Sequence, residues 1–285
     1  MATIHRVLLG LLGYPISHSA APAMMEAAGA AAGLDVRYHL ISIGGADAAT
    51  IARVLDGVRL IGFAGINVTF PYKQAVMDHL DALDPGAAQV GAVNLITVRG
   101  GKLTGHNTDA TGFLAGLLGS VGEAVKSGPA LLLGAGGAGR AIAWSLAKAG
   151  VPEVRVFDRD LPRAESLARE ASGWGGGRFV ASPTVEEGMR GAKGVVNASP
   201  AGMLPDTSCP VDPASLQAGM WVADAVYHPP MTPLLTAAKA AGCAIMPGRE
   251  MSVGQAVDGF RLFTGRDATW DVIGAAFDRH VAGRG

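Results

Sequence analysis

The sequence predicts an α/β fold of two domains, each with a mainly parallel β-sheet and helices on its faces. Short apolar runs alternate with longer alanine-rich stretches whose apolar residues recur at helical spacing. This strand–helix–strand order is typical of parallel sheets, because each crossover between parallel strands is long enough to hold a helix. The pattern restarts after residues 108–128, and 285 residues suit two domains of ordinary size. We expect a cleft between the two domains, where ligands could bind.

The first domain is predicted from the N-terminal part of this pattern. The expected strands and helices alternate in the order strand 7–13, helix 22–32, strand 38–43, helix 46–55, strand 60–69 running into a loop, and helix 72–83.

The second domain is predicted from the restart of the pattern. A strand, a glycine turn and a helix fill residues 130–150. Further strands and helices are expected at 153–158, 178–182, around Glu186, 194–199, 221–226, 232–241 and 243–247. Two last helices, 252–263 and 271–280, follow the completed second sheet, so we expect them to pack on the first domain. The predicted domains are 1–109 with 249–285, and 110–248.

Composition excludes several classes of protein. Hydrophobic residues make up 49% and charged residues 16%, with a net charge of −1, so neither disorder nor a nucleic-acid platform is expected. Two cysteines exclude a disulfide scaffold, and the seven scattered histidines indicate no metal site. The sequence contains no run of eighteen apolar residues, so no membrane span is predicted. We expect a soluble cytoplasmic protein, a monomer or homodimer, whose partner is a small molecule.

The turn after the strand at 130–133 has the pattern of a dinucleotide-binding site. Gly134, Gly136 and Gly139 form G-x-G-x-x-G between a strand and a helix. Glycines here allow a tight turn, close approach of a pyrophosphate and close packing of helix on strand. The helix N-terminus adds free N–H groups and partial positive charge for phosphates. The second domain is therefore predicted to be a Rossmann domain, with a phosphate-binding turn formed by Gly134, Ala135, Gly136, Gly137, Ala138 and Gly139.

The residues after the next strand bear on which dinucleotide binds. Asp158 follows the glycines by about 20 residues, where a carboxylate accepts hydrogen bonds from the ribose hydroxyls of NAD and repels the 2′-phosphate of NADP. Arg159 and Arg163 act in the opposite direction, because a guanidinium could bind that phosphate. We expect NAD to be preferred and NADP to be possible.

Polar clusters interrupt the apolar runs of the first domain. They are N-V-T-F-P-Y-K at 67–73, G-A-V-N at 91–94 and G-H-N-T-D at 105–109. A lysine beside an aspartate can form an acid–base pair, because the carboxylate orients the ammonium and a dry cleft lowers its pKa. Taken alone, Lys73 could equally be a solvated helix residue and Asp109 a helix N-cap.

These motifs resemble the shikimate dehydrogenase family along nearly the whole chain. Further matching segments are G-Y-P-I-S-H-S at 13–19, G-A-G-G-A-G-R at 134–140, V-V-N-A-S-P-A-G-M at 195–203, D-A-V-Y-H-P at 224–229, T-P-L-L at 232–235 and G-Q-A-V-D-G-F at 254–260. The resemblance implies an N-terminal α/β domain, a Rossmann domain and C-terminal helices that return to the first domain. It also implies reversible hydride transfer between a nicotinamide cofactor and the 3-hydroxyl of shikimate.

The resemblance implies roles for individual residues. Lys73 becomes the catalytic acid/base and Asp109 its partner. The residues implied to bind substrate are Ser19, Asn67, Thr69, Asn94, Tyr227 and Gln255. On the cofactor side, besides the glycine turn and Asp158, we expect Asn197 and Gly248, the latter beside the nicotinamide. Met251 is expected to pack near the cofactor, with direct contact to the nicotinamide as the alternative.

Three departures from the family pattern bear on specificity. Ala21 stands where the family has a second hydroxyl residue for the substrate carboxylate, which could weaken shikimate binding or favour another ring acid. Asp158 and the pair Gln255-Ala256 resemble the NAD-preferring quinate/shikimate branch instead. The alternatives left open are a dehydrogenase of a related ring acid, a methylene-tetrahydrofolate dehydrogenase, and a sensing module that binds NAD and ring acid without turnover.

Overall fold

The computed structural model describes residues 6–283, which form two compact units. Unit 1 comprises residues up to Thr108 together with those from Gln255 onward, and unit 2 comprises Asp109–Gly254. The domains predicted from sequence were 1–109 with 249–285, and 110–248. Within the described part of the chain, no helix is long and apolar enough to span a bilayer.

Unit 1 is a six-stranded sheet covered by helices. Its elements in chain order are β1 (Arg6–Gly13), α1 (Ala21–Ala31), β2 (Asp35–Ser42), α2 (Ala48–Ile61), β3 (Gly65–Val68), β4 (Ala82–Leu83), α3 (Pro85–Val90), β5 (Leu95–Arg99) and β6 (Lys102–His106). The strand order is β2-β1-β3-β5-β6-β4. β1 pairs in parallel with β2 and β3, and β4 with β6, whereas β5 is antiparallel to β3 and β6.

The β5–β6 hairpin follows from its turn residues. Gly100 and Gly101 adopt φ of +56° and +76°, the left-handed conformation that a two-residue turn between twisted strands requires. This hairpin and α3 were missed from the sequence, where strand–helix alternation was expected.

The core of unit 1 on one face of the sheet is formed by α2. Asp47 caps this helix by accepting from Thr50 N–H, and Gly62 ends it in the left-handed conformation at φ +85°. Between these caps, Ile51, Leu55 and Val58 recur at helical spacing and are buried. They pack with apolar residues of β1, β3 and β5, namely Leu12, Ile66, Val68 and Ile96.

Unit 2 is a second six-stranded sheet. Its elements begin with α4 (Thr108–Val121), whose first residue belongs to unit 1, and continue with β7 (Ala130–Leu133), α5 (Gly137–Ala149), β8 (Glu153–Phe157), α6 (Leu161–Ala171), β9 (Arg178–Ala181), α7 (Val185–Met189), β10 (Gly194–Asn197), β11 (Trp221–Asp224), α8 (Pro233–Ala240) and β12 (Ala244–Met246). The order is β12-β11-β10-β7-β8-β9, and every pairing is parallel. The central strands are buried on both faces, which explains their unbroken apolar sequences.

The chain ends with α9 (Gly248–Thr264) and α10 (Trp270–Ala282). The part of α9 from Gln255 onward, and all of α10, belong to unit 1. Arg99 of β5 holds the last turn of α9 by donating to the carbonyls of Leu262 and Phe263, both at 2.8 Å. A cation at a helix C-terminus is favourable because it satisfies carbonyls that lack partners and lies at the negative end of the helix dipole.

The predicted helix 72–83 is wrong. This segment forms consecutive turns, a short 3₁₀ helix at Met77–His79 and the strand β4. An α-helix would need the Lys73 carbonyl to accept from the N–H of Met77, but that carbonyl accepts from Val93 N–H at 2.8 Å. Met77 N–H donates to the Gln74 carbonyl instead, which tightens the turn.

Two predicted boundaries also differ from the structure. The strand expected at 60–69 begins at Gly65, because α2 continues through Leu60 and ends only at Gly62. The helix expected at 252–263 begins at Gly248. Two helices were missed: α6, with apolar residues at Ala164, Leu167, Ala168 and Ala171, and the helix at Thr108–Val121, where a domain boundary was expected.

Candidate active site

Polar side chains gather at the carboxyl end of β3 in unit 1. Asn67 is buried on β3, and Thr69 follows it. Asn94, also buried, immediately precedes β5, and its backbone carbonyl accepts from Val68 N–H at 2.8 Å. These predicted substrate residues are therefore positioned by the backbone of adjacent strands, although they lie up to 27 positions apart in sequence.

The close packing of Thr69 explains why residue 13 is a glycine. A Cβ on Gly13 would lie 2.3 Å from Thr69 Cγ2 and 3.0 Å from the Phe70 carbonyl oxygen. Thr69 N–H also donates to the Leu12 carbonyl at 2.9 Å, so β1 fixes the Thr69 backbone. Gly13 thus allows the Thr69 side chain to lie against the end of β1.

The two asparagine amides have fixed orientations. Asn67 Nδ2 donates to the Asn94 carbonyl at 3.3 Å, and Asn94 Oδ1 accepts from Thr108 N–H at 2.7 Å. A carbonyl can only accept and an N–H can only donate, so these contacts assign the oxygen and nitrogen of each amide. Asn94 Nδ2 further donates to Thr108 Oγ1 at 3.0 Å.

Lys73 is tied to the same group of residues through its backbone. The hydrogen bond from Val93 N–H to the Lys73 carbonyl joins the lysine to the loop that carries Asn94. The preceding Tyr72 is buried, and its hydroxyl donates to the Ile43 carbonyl at 2.6 Å. The Lys73 side chain is half-buried.

Ser19 lies in the loop before α1, where its Oγ accepts from Ala21 N–H at 3.2 Å. Its hydroxyl hydrogen is then available to donate to a carboxylate. Ala21 begins α1 and is buried, so the missing second hydroxyl is replaced by a methyl group.

Gln255 is placed by the packing of α9. A Cβ on Gly259, one turn further along α9, would lie 3.1 Å from Leu95 Cδ1. Since residues four apart share a helix face, Gln255 lies on the side of α9 that faces the sheet. Leu95 is in turn the register partner of Asn67.

The glycine turn of unit 2 has the geometry that a pyrophosphate requires. Gly134 has φ +103°, and a Cβ on Gly139 would lie 2.0 Å from the Gly134 carbonyl oxygen. Gly136 is the N-cap of α5, and among the described residues no side chain caps that helix. A Cβ on Gly136 would meet no described atom within 4 Å. The turn thus combines glycines needed for packing with one that leaves free N–H groups open to an anion.

Asp158 is held beside this turn. Its Oδ2 accepts from Ala135 N–H at 2.7 Å, and its Oδ1 accepts from Asp160 N–H at 2.9 Å. An ionised carboxylate has about four acceptor positions, so each oxygen can accept one more hydrogen bond. Arg159 and Arg163 are exposed, and Arg163 lies 3.5 Å from the Asp160 carboxylate. The set fits a dinucleotide, with Asp158 the group fixed in place and the arginines at the surface.

Asn197 is fully buried and uses its whole amide within the chain. Its Nδ2 donates to the Ala201 carbonyl at 3.0 Å and to Asp224 Oδ1 at 2.9 Å. Its Oδ1 accepts from the N–H and the hydroxyl of Ser199, at 3.1 and 2.6 Å. Direct contact with a cofactor stays a prediction, and the geometry favours a role in shaping the loop after β10.

Asp224 connects that loop to the loop that carries Tyr227. It accepts from Val226 N–H at 2.9 Å and from the Thr232 hydroxyl at 2.7 Å, in addition to Asn197. Burial raises the pKa of the Asp224 carboxyl to about 6, against the lowering effect of its hydrogen bonds. The Tyr227 side chain is half-buried.

Gly248 and Met251 lie at the start of α9, within unit 2. A Cβ on Gly248 would lie 2.5 Å from the Val226 carbonyl oxygen and 2.8 Å from that of Ala225. Glycine is therefore required where α9 passes the segment after β11. Met251 is buried in the core of unit 2, which supports a packing role.

Asp109 is buried in the first turn of α4, where the positive end of the helix dipole favours a carboxylate. The next residue, Ala110, accepts through its carbonyl from Ser145 Oγ at 2.7 Å, which ties this turn to α5. Asp109 belongs to unit 2 and Lys73 to unit 1, and their pairing stays a prediction.

Two residues with hydrogen bonds to the predicted site were missed from the sequence. Tyr38 of β2 donates to Asn67 Oδ1 at 2.8 Å, and Asp224 fixes Asn197. The signal for Asp224 was a lone carboxylate ending an otherwise apolar strand. Among residues 6–283, no three His, Cys, Asp or Glu side chains come together to hold a metal ion.

Comparison with known proteins decides the family. A profile of the shikimate dehydrogenase substrate binding domain matches residues 11–96. A quinate/shikimate dehydrogenase (NAD(+)) of Corynebacterium efficiens is 42% identical, with 95% of this chain and 97% of that protein covered. The chain belongs to the shikimate dehydrogenase family.

Two further family members differ in the cofactor that their names give. A shikimate dehydrogenase (NADP(+)) of an Arthrobacter species is 40% identical over 96% of this chain and 95% of that protein. The structure of quinate dehydrogenase from Corynebacterium glutamicum in complex with NAD superposes with a TM-score of 0.90, at 39% identity over 96% and 99% of the two chains. The family resemblance and the α/β fold class predicted from the sequence are confirmed.

Proposed function

We propose that this protein is an NAD(P)-dependent oxidoreductase that reversibly oxidises shikimate, quinate or both to the 3-dehydro acid. The observation that carries the proposal is the open N-terminus of α5 at Gly136, in a chain 42% identical to a quinate/shikimate dehydrogenase over 95% of its length. Unit 1 would bind the ring acid and unit 2 the dinucleotide. We further expect a cytoplasmic monomer or homodimer with no nucleic-acid or membrane partner.

The proposed chemistry assigns proton transfer to the chain. Bound NAD(P) supplies the acceptor for a hydride from the carbon that bears the reacting hydroxyl. The neutral Lys73 amine accepts the hydroxyl proton in oxidation, and the ammonium so formed returns it in reduction. Asp109 orients and stabilises the charged lysine. The oriented amides of Asn67 and Asn94 direct N–H groups at substrate hydroxyls.

The proposed cofactor preference rests on Asp158. Its two backbone hydrogen bonds hold the carboxylate at the glycine turn, where its remaining acceptor positions suit the two ribose hydroxyls of NAD. A 2′-phosphate would lie close to this negative charge. Exposed Arg159 and Arg163 could partly offset that repulsion, so we expect NAD to be preferred and NADP to be used more slowly.

Ala21 favours a second candidate within the same reaction class. The loss of one hydrogen bond to a carboxylate corresponds to about 1.5–3 kcal/mol, or roughly ten- to a hundredfold in affinity. Ser19 alone would then bind the carboxylate from this loop. A related ring acid with a different carboxylate contact is therefore the alternative substrate.

Initial rates of NADH and NADPH formation at 340 nm test the proposal, with shikimate and quinate each offered to the purified protein. We expect turnover of at least one acid, faster with NAD than with NADP. The variant Ala21→Ser should lower KM for the better acid if the missing hydroxyl matters. Binding of NAD without turnover of either acid would contradict the proposed substrates and favour the alternative ring acid or a sensing role.

A further inference from the structure

Tyr38 lies on β2 but reaches the polar group at the end of β3. In the sheet, β1 separates these two strands, and Leu11 of β1 is the register partner of both Leu40 and Asn67. Tyr38 is two residues before Leu40, so its side chain shares a sheet face with Asn67. The tyrosine therefore extends diagonally across β1 to place its hydroxyl 2.8 Å from Asn67 Oδ1.

The hydrogen bonds of Asn67 define what the amide can offer a ligand. Nδ2 donates to the Asn94 carbonyl, and Oδ1 accepts from the Tyr38 hydroxyl. Within residues 6–283, the chain provides no acceptor for the second N–H. Asn67 can then donate its second N–H to a substrate hydroxyl, whereas one acceptor position of its oxygen is taken by Tyr38.

The side-chain amide of Asn94 has its orientation fixed in a different way from that of Asn67. There a backbone N–H, that of Thr108, holds Oδ1 at 2.7 Å, so the orientation is built into the start of α4. Among residues 6–283, the only other polar contact of the Asn67 side chain is the longer one to the Asn94 carbonyl, at 3.3 Å. The orientation of Asn67 thus depends on a side chain from a different strand.

We propose that Tyr38 is a positioning residue that keeps the Asn67 amide turned with its N–H toward a hydroxyl of the ring acid. This inference rests on the proposed function, in which Asn67 binds substrate. Tyr38 itself does not touch the reacting atoms.

The ionisation state of Tyr38 is consistent with this role. Burial raises the pKa of its hydroxyl well above 10, so the group stays protonated and able to donate throughout the working range of such an enzyme. Its own backbone N–H donates to Glu26 Oε1 at 3.2 Å, which adds a contact between β2 and α1.

The test compares Tyr38→Phe with wild type at saturating cofactor. Phenylalanine keeps the ring and removes only the hydroxyl, so Asn67 loses one hydrogen bond and can rotate. We expect KM for the ring acid to rise roughly three- to tenfold, with kcat changed less than KM. Tyr14→Phe is the matched control, because its ring is half-exposed and no hydrogen bond of its hydroxyl is found within residues 6–283.

A double-mutant cycle separates positioning from general stability. If Tyr38 acts through Asn67, adding Tyr38→Phe to Asn67→Ala should leave KM within about twofold of Asn67→Ala alone. An equal rise of KM in both backgrounds would overturn the proposal, as would an unchanged KM in the single variant. Should Asn67→Ala fail to fold, the KM-against-kcat split of Tyr38→Phe decides alone.

The two proposals fail in distinguishable ways. Active wild type with an unaltered Tyr38→Phe variant contradicts the positioning role and leaves the proposed function standing. Inactive wild type, with either acid and either cofactor, contradicts the proposed function and removes the Tyr38 proposal with it.

Discussion

The two predicted binding regions are built from different parts of the chain. The glycine turn of unit 2 is backbone, and its shape follows from Gly134, Gly136 and Gly139 within one short segment. The polar group of unit 1 is made of side chains, and each amide is oriented by a residue 14 to 29 positions away. A dinucleotide phosphate is a general anion that free N–H groups can bind, whereas a polyol requires donors and acceptors in set directions.

This difference determines which region can be read from a contiguous motif. The G-x-G-x-x-G pattern covers the whole turn, and the role of each glycine can be inferred from its position in the pattern. The motif N-V-T-F-P-Y-K contains Asn67 but not Tyr38, so it cannot say which way the amide points. We expect substitutions in the two regions to have separable effects on cofactor binding and on ring-acid binding.

Lys73→Ala should give the largest effect. Removing the proposed acid/base should lower kcat by roughly two to four orders of magnitude, since that is what a positioned proton acceptor contributes. The NAD dissociation constant should change little, because Lys73 lies in unit 1 and the glycine turn in unit 2. Steady-state rates and calorimetric NAD titration provide the two measurements. Near-normal turnover would contradict the mechanism, and loss of NAD binding would contradict the separation of the two regions.

The paired variants Gly136→Ala and Gly139→Ala should give the next largest effect. A methyl at Gly136 meets no described atom within 4 Å, so the fold should be kept while the phosphate approach is blocked. We expect NAD affinity to fall by roughly ten- to a hundredfold, the equivalent of one hydrogen bond to a charged group. A methyl at Gly139 would lie 2.0 Å from the Gly134 carbonyl oxygen, so this variant should lose stability as well.

Thermal unfolding without ligand separates the two glycine variants. Gly136→Ala should melt like wild type, and Gly139→Ala should melt at a lower temperature. Equal melting temperatures with equal NAD affinities would show that the turn does not have the assigned role.

The sequence predicts unit 2 better than unit 1, for physical reasons. Every strand of unit 2 is parallel and its central strands are buried, so apolar runs and helical spacing identify nearly all its elements apart from α4 and α6. In unit 1 the segment after Thr69 has helical spacing, yet the Lys73 carbonyl is taken by Val93, a contact that local sequence does not encode. The same long-range bonding hid Tyr38. The motifs did name Asn67 and Asn94, which the structure places at neighbouring ends of the paired strands β3 and β5.

Asp158→Asn tests the proposed preference for NAD over NADP, and we expect a moderate effect. An amide keeps one acceptor oxygen but removes the charge, so NAD should bind roughly fivefold more weakly and NADP more tightly. The ratio of kcat/KM for the two cofactors is the measurement. An unchanged ratio would mean that Asp158 does not set the preference.

Asp224→Asn should affect turnover least, and its signature is a change in the pH dependence of stability. The folded-state pKa of about 6 is above the ordinary 3.8, so the neutral carboxyl is favoured by folding. Its stabilising contribution is full below about pH 4 and is lost as pH rises through about 6, by at most about 3 kcal/mol. Asparagine resembles the neutral form, so the free energy of unfolding of the variant should lack this decline.

Urea unfolding between about pH 2 and 7 compares wild type with Asp224→Asn and covers the titration of both this carboxyl group and that of the control. Asp206→Asn is the matched control with opposite sign, because hydrogen bonds from Ser208 lower the pKa of the exposed Asp206. The ionised Asp206 carboxylate stabilises the fold, and wild type loses this contribution as pH falls. The free energy of unfolding of Asp206→Asn should lack that part of the pH dependence. The same pH profile for wild type and Asp224→Asn would contradict the account of the buried carboxyl.

The most direct test of the proposed reaction follows the hydride itself. Shikimate carrying deuterium at C3 is incubated with the protein and NAD, and the reduced cofactor is analysed by mass spectrometry. The account predicts one deuterium in the NADH formed, and none when the label is placed elsewhere on the ring. NADH that forms without deuterium from the C3-labelled acid would contradict oxidation at that carbon.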